Sequence, residues 1–310
     1  MRRADAVLID IDGVLTVSFK PLPGAVAAME HLRERGVPLA LVTNTTSRTR
    51  ASVADALSGA GFPVTAEDVL TAPAATAAYL AAHFPGARCL LLNSGDIAGD
   101  LEGVTVMGPE DGEPADVVVV GGAGPEFGYA ALNRAFAHLR RGARLVAMHR
   151  NLYWRTEAGL RLDSGAFLAG LEAATGTEAV VLGKPSPAFF AAALERLGAD
   201  PGGTLMVGDD IESDVLAAQR RGLTGVLVRT GKYRPGAHRD APGTPDHVLD
   251  SFADLPALLE RLERPERLER PELPEPPEKP EPPEPPEPPE EPEKPETPEK
   301  PETRRGQEAD

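Results

Sequence analysis

The sequence predicts an α/β fold built on a doubly wound parallel sheet, and three observations support this prediction. Short apolar runs alternate with longer amphipathic segments over residues 6–262. Several of the runs are apolar throughout, as expected of strands that are buried on both faces. Glycines follow the amphipathic segments at positions where helix C-caps are expected. This alternation is typical of a parallel sheet with helices on both sides.

The individual elements follow from the same patterns in chain order. Strands are predicted at Ala6–Ile11, Val37–Thr43, Arg88–Leu92, Asp116–Gly121, Arg144–Met148, Ala179–Leu182, Thr204–Gly208 and Gly225–Arg229. Helices are predicted at Pro23–Arg35, Tyr129–Arg140, Pro187–Leu197 and Glu212–Arg221, and they are followed by Gly36, Gly142, Gly198 and Gly222. Because parallel sheets bind ligands beyond the carboxyl ends of their strands, polar residues at those ends are the candidates for a functional site.

The C-terminal segment has a different composition. Residues 261–310 contain 16 of the 32 prolines and account for −8 of the formal net charge of −16. Proline removes backbone donors and the glutamates repel one another, so this composition does not form a packed core. We expect a disordered Pro-Glu tail over residues 263–310, which is either a solvated spacer or a segment that binds an unidentified partner.

The remaining composition argues against several classes of protein. The mildly acidic net charge disfavours binding to nucleic acid or to an anionic membrane surface. Cys89 is the single cysteine, so no intramolecular disulfide can form, and its apolar neighbours indicate a buried thiol. No apolar run approaches the ~18 residues of a membrane span. Asp10 and Asp12 interrupt the first apolar stretch, which argues against a signal peptide. We therefore expect a cytoplasmic protein.

Two carboxylates follow the first predicted strand, in the motif Asp10-Ile11-Asp12-Gly13. Residues two apart in an extended chain project to the same side, so both carboxylates can enter one site. Gly13 allows the chain to turn away. A close carboxylate pair either splits its pKa values or shares a hard cation such as Mg²⁺. For this motif alone, a plain turn is the alternative.

Three further polar motifs end later strands. Thr43 and Asn44 offer a hydroxyl and amides for phosphate oxygens, although both residue types are also common at helix N-caps and turns. Lys184 lies between a strand and a helix. A fixed cation there would offset the charge of a phosphate, and a solvated loop lysine is the alternative. Additional carboxylates follow the strand at 204–208, namely Asp209, Asp210 and Asp214.

The four motifs occur in order, each at a strand end, and together they resemble those of the haloacid dehalogenase superfamily of phosphohydrolases. The resemblance covers nearly all of residues 5–262. It implies that Asp10 attacks phosphorus and that Asp12 acts as the general acid and base. It also implies a Mg²⁺ cofactor bound by the Asp10 side chain, the Asp12 backbone carbonyl and Asp209.

The same resemblance assigns the remaining polar residues. Thr43 and Asn44 would hold the phosphoryl group of a small phosphorylated substrate, and Lys184 would neutralise its charge. Asp214 would orient either the metal site or the lysine. Asp210 would support the metal site or cap the following helix.

The spacing of the motifs places an inserted domain. Asp12 and Thr43 are separated by 31 positions, whereas Thr43 and Lys184 are separated by 141. The longer interval leaves room for an α/β cap, and this placement resembles subfamily IIA of the superfamily. We predict a hydrolase core at residues 1–70 and 178–262 and a cap at residues 71–177. Three residues after a predicted cap strand could line its substrate face or have packing and surface roles, namely His149, Arg150 and Trp154.

Additional stretches resemble the phospholysine phosphohistidine inorganic pyrophosphate phosphatase family, namely Thr71–Ala75, Phe127–Asn133, Leu162–Gly165 and Thr230–Arg234. We therefore expect a phosphatase for a phosphate monoester, a phosphoramidate or pyrophosphate, with a homodimer as a further implication of the resemblance. The alternatives are a sugar-phosphate or nucleotide phosphatase, a non-catalytic phosphate-binding module, and a scaffold that acts through its tail.

Overall fold

A computed structural model describes residues 5–108, 111–156, 159–236 and 241–263. The strands are β1 (Ala6–Asp10), β2 (Thr16–Val17), β3 (Lys20–Pro21), β4 (Leu39–Thr43), β5 (Val69–Thr71), β6 (Arg88–Leu92), β7 (Thr105–Val106), β8 (Val117–Val120), β9 (Arg144–Ala147), β10 (Tyr153–Thr156), β11 (Gly159–Leu162), β12 (Val180–Val181), β13 (Thr204–Gly208), β14 (Thr224–Val228) and β15 (His247–Leu249). The helices are α1 (Ala25–Glu34), α2 (Arg50–Gly59), α3 (Ala72–His83), α4 (Tyr129–Arg140), α5 (Ser164–Thr175), α6 (Pro187–Leu197), α7 (Ala217–Gln219) and α8 (Leu255–Glu263), and a π-helix at Ile211–Leu216 leads into α7.

The first sheet has the strand order β15-β14-β13-β1-β4-β5, and all of its strand pairs are parallel. Alternate residues of β1 pack on opposite faces. Val7 and Ile9 join one apolar cluster with residues of α1, α2 and α8, whereas Leu8 joins another with residues of α6 and α7. The side chains of Phe189 and Phe190 in α6 are fully buried. Truncating either one to Ala would destabilise the fold by roughly 3–5 kcal/mol.

The register of the first sheet brings three strand ends together. Ile9 of β1 is level with Val207 of β13 on one side and with Leu41 of β4 on the other. The carboxyl ends of β1, β4 and β13 therefore lie side by side at one edge. Residues at or just after those ends, Asp10, Thr43 and Asp209, are brought to that edge.

The second sheet has the order β12-β9-β8-β6-β7 and is also parallel throughout. In β8, Val118 and Val120 pack in one cluster with α4 and α5, whereas Val117 and Val119 pack in another with residues of α3. A continuous run of valines is thus buried on both faces, which is the reason it is apolar throughout.

The predicted α/β fold with a doubly wound parallel sheet is confirmed, and all eight predicted strands are present within a few residues of their predicted bounds. Seven short strands among the described residues were not predicted, namely β2, β3, β5, β7, β10, β11 and β15. Of these, β5 and β15 lie at the two edges of the first sheet. The helix predicted at Glu212–Arg221 is wrong in type, because its first part is a π-helix.

The strand pairing bears on the predicted segments. The predicted cap begins at Thr71, and in the structure Thr71 is the last residue of β5 in the first sheet. Val180 and Val181 pair with β9 of the second sheet, although they were expected in the core. The division into core and cap stays a prediction. Of the predicted tail, Glu263 lies in α8 and residues 264–310 lie outside the described residues.

Among the described residues, no helix is both long enough and apolar enough to cross a bilayer.

Candidate active site

Asp10 and Lys184 form a buried ion pair at the carboxyl edge of the first sheet. Lys184 Nζ lies 2.6 Å from Asp10 Oδ1 and 2.7 Å from Asp214 Oδ1, and all three side chains are nearly inaccessible to solvent. Burial alone would lower the pKa of Lys184, but the carboxylates of Asp10 and Asp214 raise it above its ordinary value. The lysine is therefore a permanent positive charge beside Asp10.

Asp209 completes a group of three buried carboxylates. Ligand oxygens of Asp10, Asp209 and Asp214 all lie within 4.8 Å of one another. Asp209 Oδ1 is buried and has no hydrogen-bond partner in the described part of the chain. Burial raises the pKa of Asp209 above its ordinary value, and the negative charges of Asp10 and Asp214 raise it further. Burial likewise raises the pKa of Asp214.

This carboxylate group fits a hard divalent cation. Lys184 offsets part of its negative charge, but Asp209 remains with an unpaired buried oxygen beside two other carboxylates. A buried carboxylate without a partner is costly unless a cation lies nearby. Oxygen-only ligands suit Mg²⁺ or Ca²⁺ better than a softer metal.

The backbone conformation after β13 positions Asp209 and Asp214. Asp210 caps the π-helix, because its Oδ1 accepts hydrogen bonds from the backbone N–H groups of Glu212 and Ser213 at 3.1 and 3.0 Å. Gly208 allows a close approach, since a Cβ there would lie 2.3 Å from Asp214 Cβ. Of the two roles expected for Asp210, the structure therefore shows the helix cap.

Asp209 is also held by the segment around Gly231 and Lys232. The backbone N–H of Lys232 donates a 2.6 Å hydrogen bond to Asp209 Oδ2, and Thr230 Oγ1 donates one of 2.5 Å to the Gly13 carbonyl. A Cβ on Gly13 or Gly231 would come within 2.0 Å of Asp209 Oδ2. Gly13 has φ +90° and Gly231 has φ +60°, so both positions also favour glycine by conformation.

Asp12 differs from Asp10 in its surroundings. Its side chain is exposed and lies outside the group of three carboxylates. Partial loss of hydration raises the pKa of Asp12 above its ordinary value, while the charges of Lys232 and Lys184 act in the opposite direction. The site therefore contains one buried carboxylate paired with a cation and one accessible carboxyl with a raised pKa.

The Asn44 side chain binds the protein backbone. Its Nδ2 donates to the Lys184 carbonyl at 2.8 Å, and its Oδ1 accepts from the Lys184 N–H at 2.8 Å. The structure therefore gives this side chain a positioning contact, where sequence reasoning expected it to hold the phosphoryl group. The hydroxyl of Thr43 lies at the end of β4 and donates a 3.0 Å hydrogen bond to that of Thr45.

Contacts with the second sheet hold the loop after β4, and sequence reasoning missed them. Asn93 Nδ2 donates to the Thr46 carbonyl at 3.1 Å, and Asn93 Oδ1 accepts from the Gly122 N–H at 2.8 Å. Buried Asp100 accepts two hydrogen bonds from the backbone N–H of Arg50, at 2.9 and 3.1 Å. Asn93 follows β6, so its position at a strand end was an available signal.

Two of the three residues expected near the cap's substrate face have other partners. Arg150 makes a double hydrogen bond with Glu172. His149 is buried, and its Nδ1 lies 3.3 Å from the Asn151 N–H donor and 3.4 Å from Ser164 Oγ. Burial lowers the pKa of His149 below its ordinary value, although Asp163 opposes that effect. The side chain of Trp154 lies outside the described residues.

Comparisons with known proteins agree with this geometry. A family model described as haloacid dehalogenase-like hydrolase matches residues 7–106, and one described as HAD-hydrolase-like matches residues 181–255. The chain is 36% identical over 251 residues to haloacid dehalogenase-like hydrolase domain-containing protein 2 of Bos taurus, covering 81% of this chain and 94% of the relative.

Two further relatives have names that state an activity. The phospholysine phosphohistidine inorganic pyrophosphate phosphatase of Xenopus laevis is 38% identical over 255 residues, covering 80% of this chain and 92% of the relative. The solved structure of p-nitrophenyl phosphatase from Archaeoglobus fulgidus superposes with a TM-score of 0.77 at 28% identity, covering 84% of this chain and all of that one.

Proposed function

This chain belongs to the haloacid dehalogenase-like hydrolases, and on that basis we propose that it is a magnesium-dependent phosphatase that acts through a phosphoryl group on Asp10. The observation that supports this proposal is the environment of Asp10. The carboxylate ends a buried strand, is fixed by Lys184 at 2.6 Å, and lies within 4.8 Å of Asp209. Phosphoryl transfer requires a fixed nucleophile and positive charge close to the phosphoryl oxygens, which Lys184 and a bound cation would supply.

In the first step, an Asp10 carboxylate oxygen attacks phosphorus. The new O–P bond forms as the bond between phosphorus and the leaving-group atom breaks, and Asp12 donates a proton to that atom. The leaving-group atom is oxygen in a monoester or pyrophosphate and nitrogen in a phosphoramidate. Lys184 lowers the repulsion between the attacking carboxylate and the anionic phosphoryl group. Thr43 lies at the adjacent strand end, where its hydroxyl would contact a phosphoryl oxygen, and the Asn44 amide keeps Lys184 in position.

In the second step, a water molecule attacks phosphorus and releases inorganic phosphate. Asp12 accepts the proton of that water, and Asp10 departs as a free carboxylate. One group must therefore act as acid and then as base, which is most efficient when its pKa approaches the working pH. The raised pKa of Asp12 and its access to solvent both suit this role.

Asp10, Asp209 and the Asp12 backbone carbonyl would hold Mg²⁺, which supplies positive charge for the phosphoryl oxygens when bound. Asp214 would support the site through Lys184, which it contacts at 2.7 Å. Asp209 Oδ1, buried and unpaired among the described residues, is the oxygen that most requires a cation.

The relatives guide the choice of substrate. Their names include phospholysine, phosphohistidine and pyrophosphate as well as p-nitrophenyl phosphate, so a monoester, a phosphoramidate or pyrophosphate is our leading class. A sugar-phosphate or nucleotide phosphatase uses the same machinery and remains the second candidate. A phosphate-binding module without turnover is less consistent with the sequence, which retains both Asp10 and Asp12.

The proposal is tested by phosphate release with Mg²⁺ and with a chelator. The panel contains pyrophosphate, phospholysine, phosphohistidine, p-nitrophenyl phosphate, sugar phosphates and nucleotides, and Asp10→Asn is assayed beside the wild type. We expect Mg²⁺-dependent release that falls by at least ~10³-fold in the variant. Release that persists in the variant, or in chelator, would refute the mechanism.

A further inference from the structure

The loop after β4, the strand that pairs with β1, holds residue 48 between two hydrogen-bonded positions. Before it, the Thr46 carbonyl is bound by Asn93 at 3.1 Å. After it, Thr49 caps α2 by accepting a hydrogen bond from the Ser52 N–H at 3.2 Å. Its backbone is therefore fixed on both sides, while the side chain of Arg48 is exposed.

Arg48 reaches from this loop to the hairpin that follows Asp12. Its guanidinium carbon lies 4.9 Å from the centre of the Phe19 ring. Phe19 belongs to the two-residue turn between β2 and β3, and the Gly13 N–H donates to the Thr16 carbonyl at the base of that hairpin, at 2.7 Å. The arginine thus bridges segments that extend from the carboxyl ends of β4 and β1.

The turn that presents the Phe19 ring is strained. Ser18 and Phe19 have φ values of +51° and +59°, in the left-handed region that residues other than glycine rarely adopt. Such a conformation persists when surrounding contacts hold it, and Phe19 packs against the apolar cluster that contains Val7 and Ile9. The Phe19 ring is therefore held in place where the guanidinium group of Arg48 lies over it.

The hydrogen-bond donors of Arg48 meet no acceptor in the described part of the chain. It has no ion-pair or hydrogen-bond partner within residues 5–108, 111–156, 159–236 and 241–263. Arg50, two residues on, lies 3.5 Å from a carboxylate oxygen of Asp100. Stacking on a ring uses the face of a guanidinium and leaves its N–H groups free to bind an anion in a forked geometry. Arg48 is thus a positioned arginine without an ion-pair partner among the described residues, on the loop that follows a strand next to the one that carries Asp10.

We propose that Arg48 determines specificity by binding a second anionic group of the substrate, carried on the leaving group, such as the distal phosphate of pyrophosphate. This inference rests on the proposed phosphatase function. A charged fork matches phosphate oxygens in pairs, so substrates with an anionic leaving group gain a contact that an uncharged aryl leaving group lacks. Arg48 binds the part of the substrate that departs, whereas Lys184 acts on the part that is transferred.

The test compares pyrophosphate with p-nitrophenyl phosphate in the wild type, Arg48→Gln and Arg48→Lys. Arg48→Gln should lower kcat/KM for pyrophosphate about 10- to 100-fold, chiefly through KM, and change that for p-nitrophenyl phosphate less than about threefold. Arg48→Lys should be intermediate, because it keeps the charge and loses the fork. Lys20→Gln is the matched control, an exposed cation next to Phe19, and it should leave both substrates nearly unchanged.

An equal loss for both substrates in Arg48→Gln, or no loss for pyrophosphate, would overturn the inference and leave the phosphatase function intact. If the wild type hydrolyses neither compound, calorimetry tests Arg48 separately, and the proposed function fails only if no other member of the panel is hydrolysed. Pyrophosphate that binds about tenfold more weakly to Arg48→Gln, with inorganic phosphate unaffected, would support the inference. Equal binding by the two proteins, or no pyrophosphate binding to the wild type, would overturn it.

Discussion

Replacing Asp209 by Asn should stabilise the metal-free protein and remove its response to Mg²⁺. The three carboxylates lie within 4.8 Å of one another, and Lys184 offsets about one of the two charges that face Asp209. One unit charge at that distance costs about 3 kcal/mol at an effective dielectric constant near 20. Asn keeps the shape and still accepts the hydrogen bond from the Lys232 N–H. We therefore expect about 3 kcal/mol of stabilisation, a rise of roughly 6–12 °C in Tm.

The assay is thermal unfolding at pH 8 in chelator and then with increasing Mg²⁺. The wild type should gain about 2.7 kcal/mol when Mg²⁺ reaches 100 times its Kd, and Asp209→Asn should gain little. Asp210→Asn is the control, because Asn also caps helices and Asp210 lies outside the carboxylate group. An Asp209→Asn protein that is less stable than the wild type in chelator, or equally stabilised by Mg²⁺, would refute this account of the site.

Two further predictions concern the glycine contact over Asp209 and the buried histidine. Gly231→Ala should lower the free energy of unfolding by about 3 kcal/mol or more and weaken Mg²⁺ binding measured by calorimetry, because a Cβ there would lie 2.0 Å from Asp209 Oδ2. Gly236 is the control: it also has a positive φ of +90° but lies in open space, so Gly236→Ala should lower that free energy by only about 1 kcal/mol. Equal losses for the two variants would contradict the steric argument. His149→Gln should remove a pH-dependent part of the free energy of unfolding. Burial lowers the pKa of His149 in the folded protein, so the unfolded chain takes up a proton at higher pH than the folded one. The wild type should therefore lose stability as the pH falls through ~6.5 towards the lower folded-state pKa. Urea titrations from pH 8 to pH 5 test this, and parallel curves for the two proteins would contradict it.

Much of the sheet was predictable because burial on both faces leaves a local signal. The valine run of β8 and the apolar run of β1 are continuous for that reason. The edge strands β5 and β15 span only three residues each, which is too short for a pattern to stand out. The π-helix after Asp210 was predicted as an ordinary helix, since a wider turn does not alter the apolar spacing enough to be recognised.

The candidate site was predictable in its residues and less so in their contacts. The sequence places all three of Asp10, Lys184 and Asp209 at strand ends. The register of β1 and β13 brings Asp10 and Asp209 to one edge of the first sheet, whereas Lys184 follows β12 of the second sheet. Sequence spacing does not indicate that the Asn44 amide binds the Lys184 backbone, because the two residues are 140 positions apart. The contact of Asn93 with the loop after β4 was missed for the same reason.

The central claim is that Asp10 accepts the phosphoryl group, and acid quenching during turnover followed by peptide mass spectrometry tests it most directly. The account predicts one added phosphoryl group on the peptide containing Asp10 in the wild type, lost on mild alkaline treatment and absent in Asp10→Asn. Phosphoryl transfer to a different residue, or steady phosphate release by the Asp10→Asn variant without any covalent label, would contradict it.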